Sequence, residues 1–384
     1  MPFTMRHLVP GQLLDVTTDI AARGSERLRD QVGQPAESAA LEELWRSVAG
    51  LGLASMLIPR ESGGDGGSLA DLAAVIEGCA RFALPLPVLA AYGIAPLMIL
   101  SPANRRRAEL AAQFAQGSVT ICPVVESPGS SLAEGPPRQP SCQADGHGIS
   151  LKGEVHGAEA VPGATHYLIA CQVQEAGGPQ PGLVLVPADG PGLSAVSGRR
   201  IDGRNTVDLL FDATSLDGDA LLGAGPPVRQ AVARARVVGA LLTSVEAVAA
   251  LGALIEETIT YLSGREQFGV RLSTFQVLRH HVVDMYVSYE NLHALASRSL
   301  RQAVAGGGVP LASVAQLKFY LARSGRTAAE AAIQCHGGMG LTEELLAARL
   351  AKRVVTAGFE YGDGMFHAER LLADRREPEV SARA

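Results

Sequence analysis

Apolar residues recur at three- and four-residue intervals over much of the chain, which is the spacing of helices with one buried face. From about residue 229 onward, this spacing predicts four or five helices, over Arg229–Leu262, Val277–Ala305, Leu311–Cys335, Glu343–Thr356 and Met365–Arg375. The breaks between them are short, and Gly306–Gly308 is one sharp link. Long helices joined in this way are typical of an antiparallel four-helix bundle, so we expect one here.

The first part of the chain, up to about residue 118, is also predicted to be mostly helical. Leu41–Ala49 has helical apolar spacing and ends at Gly50–Gly52. A glycine-rich break, Pro59–Gly67, comes next, and a new helix is expected from Ser68, whose hydroxyl can cap the first turn.

Between about residues 119 and 228 the pattern changes to short β-branched or alternating runs separated by turn residues. Such runs are Val119–Val125, Tyr167–Ala170 and Leu183–Val186, whereas Gly129–Pro140 is predicted to be a loop. These runs predict a small β domain, either a barrel or a sandwich. The fold class is therefore mostly α with a small β domain. The predicted domains are residues 1–118, 119–228 and 229–384.

The composition and net charge limit which kinds of binding partner are expected. Hydrophobic residues make up 47% of the 384 residues and charged residues 19%, which is the balance of a globular protein. A formal charge of −6 gives no electrostatic reason to expect nucleic acid or an anionic membrane as a partner. The apolar run Leu84–Leu100 is broken by prolines and a glycine, so no membrane span is expected.

The cysteines and the N-terminal residues both point to the cytoplasm. The five cysteines are scattered, odd in number and without a Cys-x-x-Cys pair, which argues against a disulfide framework or a zinc site. Met1–Asp15 has no basic stretch followed by an apolar run, so no signal peptide is expected. His280 and His281 have no metal-ligand spacing around them, and no metal is expected.

The corner between the first two C-terminal helices carries unusual chemistry. It runs from Arg265 to Gln276, with Gly269 as the helix breaker, and contains two arginines, two glutamines and two phenylalanines. Arginine offers a planar fork of donors that suits a phosphate, glutamine can pair with a heterocycle edge, and phenylalanine can lie against a ring. The alternative is an ordinary helix hairpin with buried phenylalanines and solvated arginines.

Two segments in order resemble the signatures of the acyl-CoA dehydrogenase family. The first is Arg265–Gly269, Arg-Glu-Gln-Phe-Gly, with Phe275-Gln276, His280 and Asp284-Met285 after it. The second is Gln334–Glu344, Gln-Cys-His-Gly-Gly-Met-Gly-Leu-Thr-Glu-Glu. The resemblance covers nearly the whole chain and implies a helical N-terminal domain, a β-barrel or sandwich, and a C-terminal four-helix bundle.

The resemblance implies FAD as cofactor, bound at subunit interfaces. The residues matched to the pyrophosphate and adenosine end of FAD are Arg265, Gln267, Phe268, Phe275, Gln276, Gln334, Gly337 and Gly338. Glycines there let backbone N–H groups approach oxygen atoms closely.

The β-domain half of the flavin site departs from the family pattern. Val125–Ser131 stands where the family commonly has Thr-Glu-Pro followed by Gly-Ser, and Gly157–Glu159 stands where it has Trp-Ile-Thr. The only tryptophan, Trp45, is elsewhere. Divergent members, including small subunits of hetero-oligomeric dehydrogenases, look like this.

The family reaction needs a carboxylate that removes the α-proton of the thioester while the β-hydride passes to flavin N5. Counting forward without gaps from Gly337 places Tyr361 at the base position. Counting back seven residues from Arg370 places Asp363 there instead. Asp363 keeps the family's acid–glycine pair and is the favoured base, with Glu360 as second choice.

Two alternatives for the base stay open. Asp363 next to glycine is also a common turn pair. Relatives that carry the base on the preceding helix would have it at Gly239, where this chain has no acid; Glu246 on that helix is expected to be a surface or interhelical charge.

The sequence leaves two main functional hypotheses. The first is an FAD-dependent dehydrogenase acting on an acyl-CoA of lipid or steroid catabolism, as a homodimer or homotetramer, with an electron-transferring flavoprotein as acceptor. The second is a non-catalytic subunit that completes the FAD site of a hetero-oligomer, such as a heterotetramer. An acyl-CoA oxidase is a further alternative that no residue distinguishes.

Overall fold

A computed structural model describes residues 3–29, 36–125, 139–144, 148–175, 177–306 and 308–381. The chain forms two compact units. The helical unit comprises Met1–Val48, Ala73–Leu86 and Ala240–Ala384, and the sheet unit comprises Ala49–Leu72 and Pro87–Gly239. The predicted division into three domains stays a prediction.

Helices dominate the described residues before the sheet. They are α1 (Gln12–Arg29), α2 (Ala36–Ala49), α3 (Leu53–Met56), α4 (Leu69–Ala80), α5 (Ala95–Ile99) and α6 (Arg107–Ala115). Ser68 precedes α4 as predicted, and the carboxylate of Asp71 accepts hydrogen bonds from the Ser68 N–H (2.7 Å) and hydroxyl (2.8 Å). Both hydrogen bonds run from Ser68 to the Asp71 carboxylate, which satisfies the Ser68 N–H at the start of the helix.

The sheet unit contains a mixed eight-stranded sheet. Its strands are β1 (Ile121–Val124), β2 (Ser141–Ala144), β3 (Ile149–Glu159), β4 (His166–Glu175), β5 (Gly178–Pro187), β6 (Leu193–Arg199), β7 (Asn205–Leu216) and β8 (Leu221–Ala224). The order is β6-β7-β3-β2-β4-β5-β8, and β1 pairs with β4. The pairs β1–β4 and β2–β4 are parallel, and the other pairs are antiparallel.

Strand β4 lies at the centre of this sheet. It pairs with β1, β2 and β5, and Leu168–Cys171 is buried without alternation. Strand β5 has a similar run, Gly182–Val186. Continuous burial means that both faces of these strands are covered, which explains the unbroken apolar runs in the sequence.

Long helices return after the sheet. They are α7 (Pro226–Gly264), α8 (Gln276–Val304), α9 (Leu311–Tyr320), α10 (Arg326–His336), α11 (Leu346–Ala357) and α12 (Gly364–Ser381), and the short strands β9 (Glu266–Gln267) and β10 (Val270–Arg271) lie between α7 and α8. The helical–β–helical order confirms the predicted fold class.

Helix α7 is apolar around most of its circumference over its central turns. By length and composition it could cross a membrane, but its most apolar window is entirely buried inside the protein. A core helix has this character, so the finding is weak support for a membrane span. At Gly252 an added Cβ would lie 2.6 Å from the Met5 sulfur and 3.0 Å from the Tyr289 ring. The N-terminal segment and α8 therefore pack directly against the backbone of α7.

One predicted helix is interrupted. Leu311–Cys335 was expected to be continuous, but a π-helical turn over Leu321–Gly325 separates α9 from α10. A Cβ at Gly325 would lie 2.7 Å from Leu321, so glycine lets this widened turn close on itself. Apolar spacing does not report a one-residue change in helical phase.

Candidate cofactor and base site

The predicted corner forms a tight β-hairpin between α7 and α8. Strand β9 pairs with β10 through Gln267 opposite Val270, and two residues, Phe268 and Gly269, make the turn. Their φ angles are 56° and 77°, which is the backbone of a type I′ turn. Glycine adopts this conformation freely, but phenylalanine is strained there.

The strained turn exposes an aromatic ring. Phe268 is 90% exposed and its ring stands edge-on to Phe275, with centroids 6.2 Å apart. The N–H of Leu272 donates to the Arg265 carbonyl (2.9 Å) and closes the base of the hairpin. The side chains of Arg265, Gln267 and Gln276 are exposed beside it.

The second signature segment forms a glycine turn whose backbone is not covered by side chains. Helix α10 ends at His336, and Gly337 has a φ of 63° that begins a 3-10 turn, Gly337–Leu341. A Cβ on Gly337 or Gly338 would meet no atom within 4 Å. These glycines therefore leave open space over the backbone, with the exposed Gln334 next to it.

A contact from the end of α7 brings the two segments together. The Tyr261 ring stacks on the His336 ring at 4.6 Å, and the Tyr261 hydroxyl donates to the His336 carbonyl at 3.3 Å. Tyr261 in turn accepts the Arg265 N–H on its carbonyl (2.9 Å). The hairpin and the glycine turn are thus held at one end of the helical unit.

These groups suit the pyrophosphate and adenosine of FAD. The Arg265 guanidinium makes no hydrogen bond or ion pair with another described residue, and it can form a bidentate pair with a phosphate. The exposed Phe268 and the half-buried Phe275 offer ring faces for a heterocycle. The uncovered glycine backbone allows an oxygen to approach N–H groups.

The other half of the predicted flavin site lies in the sheet unit and differs from the family pattern there too. The segment from Glu126 to Ser131 lies outside the described residues. In β3, a bulge between Val155 and Ala158 is held by Asp208, whose carboxylate accepts the Gly157 N–H at 2.7 Å. An ion pair of 2.8 Å joins Glu159 to the buried Arg204. Gly157, which stands at the tryptophan of the family pattern, therefore supplies no aromatic ring, and the salt bridge lies two residues further along β3.

The favoured base, Asp363, begins helix α12. It is 7% exposed, and its Oδ1 accepts the Phe366 N–H at 2.9 Å. This is the contact of an N-cap residue with the third residue of a helix. Asp363 therefore has a structural role, and its role as a base stays a prediction.

The second choice, Glu360, belongs to a buried charge cluster. The Arg353 guanidinium bonds both of its carboxylate oxygens, one of them at 3.0 Å, and the Thr243 hydroxyl donates to it at 2.6 Å. Arg353 also pairs with Glu246 at 3.0 Å. Glu246 is 4% exposed and is thus an interhelical rather than a surface charge.

Two further side chains hold the loop between α11 and α12. The fully buried Lys318 donates from Nζ to the carbonyls of Ala357 (2.5 Å) and Glu360 (2.6 Å). His367 Nε2 lies 3.1 Å from the Tyr361 carbonyl. Burial, reinforced by the nearby charge of Lys318, lowers the pKa of His367 to about 4, so the neutral ring donates to that carbonyl.

The sequence did not identify these loop-holding residues. Lys318 stands in an apolar helical run, Val314–Leu321, where a lysine is conspicuous, and that is a usable signal. Thr243 carries no local signal, because Glu360 is 117 residues away. Arg353 is 7 residues from Glu360 but 107 from Glu246.

Comparison with known proteins decides the family. Residues 13–109 match the acyl-CoA dehydrogenase N-terminal domain, and residues 230–371 match the acyl-CoA dehydrogenase C-terminal domain. The chain belongs to the acyl-CoA dehydrogenase family. FAD is the cofactor of this family, which confirms that expectation.

The relatives are distant in sequence. "Acyl-CoA dehydrogenase FadE34" of Mycobacterium tuberculosis is 26% identical over 345 residues, covering 88% of this chain but 43% of its own length. The chain thus spans less than half of that relative.

Solved structures of the family share the fold. The ChsE4–ChsE5 complex of M. tuberculosis aligns with a TM-score of 0.79 at 18% identity, covering 97% of this chain and 99% of that chain. A variant of the Tcur3481–Tcur3483 steroid ACAD aligns at 0.77 with 23% identity, covering 96% and 100%.

Proposed function

We propose that this chain takes part in flavin-dependent α,β-dehydrogenation of an acyl-CoA thioester to the enoyl-CoA. The observation that carries the proposal is the placement of the exposed hairpin beside the bare glycine turn, joined by Tyr261 and His336. A left-handed, exposed phenylalanine costs free energy in the single chain, and contact of its ring with a ligand would offset that cost.

The residues of the chain have separate tasks in this reaction. Arg265 and the backbone at Gly337 and Gly338 would hold the pyrophosphate, while Phe268 and Phe275 would cover the adenine. Bound FAD supplies the acceptor for the hydride that leaves the β-carbon. Asp363 would take the α-proton on Oδ2, since the Phe366 N–H occupies Oδ1.

The second candidate is a non-catalytic partner subunit that completes a shared FAD site. It is favoured by the state of the two acids, since Glu360 is paired with Arg353 and Asp363 is buried as a helix cap. The names of the ChsE4–ChsE5 and Tcur3481–Tcur3483 structures, each a pair of proteins, lend it support.

The remaining expectations belong to the same proposal. The acyl group would come from lipid or steroid catabolism, and the chain would work in the cytoplasm as a homo-oligomer or with a second family member. An electron-transferring flavoprotein would reoxidise the flavin.

The deciding experiment is a visible absorption spectrum of the purified chain, expressed alone or with a candidate partner, before and after addition of acyl-CoAs. Bleaching of a yellow chain expressed alone would establish a self-sufficient dehydrogenase. A colourless chain that becomes yellow only with the partner would establish the shared site. Absence of flavin in both preparations would contradict both proposals.

Asp363→Asn tests the base without disturbing the helix. Asparagine caps a helix about as well as aspartate but cannot accept the α-proton as a carboxylate does. We expect bound flavin to persist while bleaching is lost. Glu360→Gln is the matched variant, and loss of bleaching only in that variant would transfer the role to Glu360.

A further inference from the structure

A cavity of about 380 Å³ opens between the N-terminal segment and the C-terminal half of α8, within the helical unit. Its polar lining comes from two separate parts of the chain, and it consists of Arg6, His7, His293, Ser297 and Arg301. Every one of these side chains can donate a hydrogen bond, and two are permanently cationic.

The acids that pair with this lining lie outside the cavity. Arg6 pairs with Glu290 at 2.8 Å, and His7 Nδ1 lies 3.1 Å from Glu77. Neither glutamate lines the cavity. The Arg301 guanidinium makes no hydrogen bond or ion pair with another described residue, so its charge is available to a ligand.

His293 contributes a buried ring nitrogen for which the described residues supply no well-aligned hydrogen-bond partner. It is 7% exposed, and Nε2 has no partner in hydrogen-bond geometry among the described residues, although Nδ1 lies 3.5 Å from the Ser297 hydroxyl. Burial lowers the pKa of His293, and the nearby charge of Arg6 lowers it further. A hydrogen-bonding interaction with the His7 backbone raises the pKa and offsets part of this shift. A neutral ring can still donate one hydrogen bond to an anion in the cavity.

We propose that this cavity is a binding site for a phosphate-type oxyanion, either free or carried by a small molecule. Donors converge on it from two chain segments, and a tetrahedral oxyanion can accept from several directions at once, whereas a carboxylate has two oxygens in one plane. The site is separate from the hairpin, since His293 lies 17 residues along α8 from Gln276, about 25 Å at helical rise.

Calorimetric titration of the purified full chain with inorganic pyrophosphate and inorganic phosphate tests the proposal. We expect saturable binding of at least one, weakened roughly tenfold by Arg301→Gln, because a charge-assisted hydrogen bond is lost. His293→Gln should weaken binding as well, by moving the buried donor. Both substitutions leave the exposed surface of α8 otherwise unchanged.

Two control variants make the result specific. Arg298 is exposed on the same helix but does not line the cavity, so Arg298→Gln should leave binding unchanged. Arg265→Gln removes the cation of the hairpin, so binding that persists in this variant and is weakened by adding Arg301→Gln belongs to the cavity. Equal losses in Arg298→Gln and Arg301→Gln, acetate binding as tight as phosphate, or no binding at millimolar anion would overturn the proposal.

Discussion

At the scale of single residues, Arg353 supports the buried charges of the helical unit. Its side chain is 4% exposed and lies between Glu246 and Glu360. Arg353→Met would leave both carboxylates buried without their shared cation, so we expect the free energy of unfolding to fall by about 3–5 kcal/mol. Chemical denaturation of the variant and the parent chain measures the difference.

The next residue on α11 supplies the control. Lys352 pairs with Glu343 at 2.5 Å, but the side chains are 27% and 53% exposed. Exposed pairs contribute little, so Lys352→Met should change the free energy of unfolding by less than about 1 kcal/mol. Similar losses in the two variants would show that burial does not set the importance of Arg353.

Residue roles were predictable only where the signal was local. Arg265 and Phe268 stand out because their chemistry is unusual for a helix corner, and the structure exposes both. The contact between Glu360 and Thr243 was not predictable, because 117 residues separate them in the chain. Asp363 could be a base or a cap by sequence alone, and the structure adds the cap without testing the base.

At the scale of elements, the hairpin between α7 and α8 combines strain with exposure. Phe268 adopts a φ of 56° at a position that suits glycine or asparagine. Phe268→Asn should therefore leave the chain as stable as before or stabilise it by about 1 kcal/mol. The same change should weaken FAD binding, because the ring that would cover the adenine is lost.

Thermal unfolding and flavin fluorescence titration separate the two effects, on the chain with its partner if one is needed. Phe275→Leu is the matched variant, since it removes the neighbouring ring from a residue with an ordinary φ of −74°. It should weaken FAD binding without stabilising the turn. A less stable Phe268→Asn chain with unchanged FAD affinity would contradict this account of the hairpin.

Element boundaries were predicted best where the apolar period is long and uninterrupted. Helix α8 was expected over Val277–Ala305 and spans Gln276–Val304. Glu343–Thr356 begins three residues late, at Leu346, because the chain first completes the turn after Gly337. The order of the strands could not be predicted from the sequence. Strand β2 pairs with β3, its neighbour in the chain, and also with β4.

At the scale of the whole molecule, buried histidines make stability depend on pH. Burial lowers the pKa of His367 to about 4, whereas the unfolded chain takes up this proton near pH 6.5. Between these values the unfolded state binds more protons, so stability falls as the pH falls. His166 and His293 have pKa values lowered by burial and add to this trend. The pKa of Glu77 is raised by burial, which opposes it.

For His367 alone, lowering the pH from 7 to 5 should reduce the free energy of unfolding by about 2 kcal/mol. Denaturation at both pH values, repeated with His367→Gln, measures this share, because glutamine can still donate to the Tyr361 carbonyl but does not titrate. His156→Gln is the control: this histidine is 65% exposed and its pKa is raised, chiefly by the hydrogen bond to Asp208. His156→Gln should not flatten the pH dependence, because a raised pKa favours the folded state as the pH falls. If it flattens the dependence as much as His367→Gln does, the neutral buried ring of His367 is not its source.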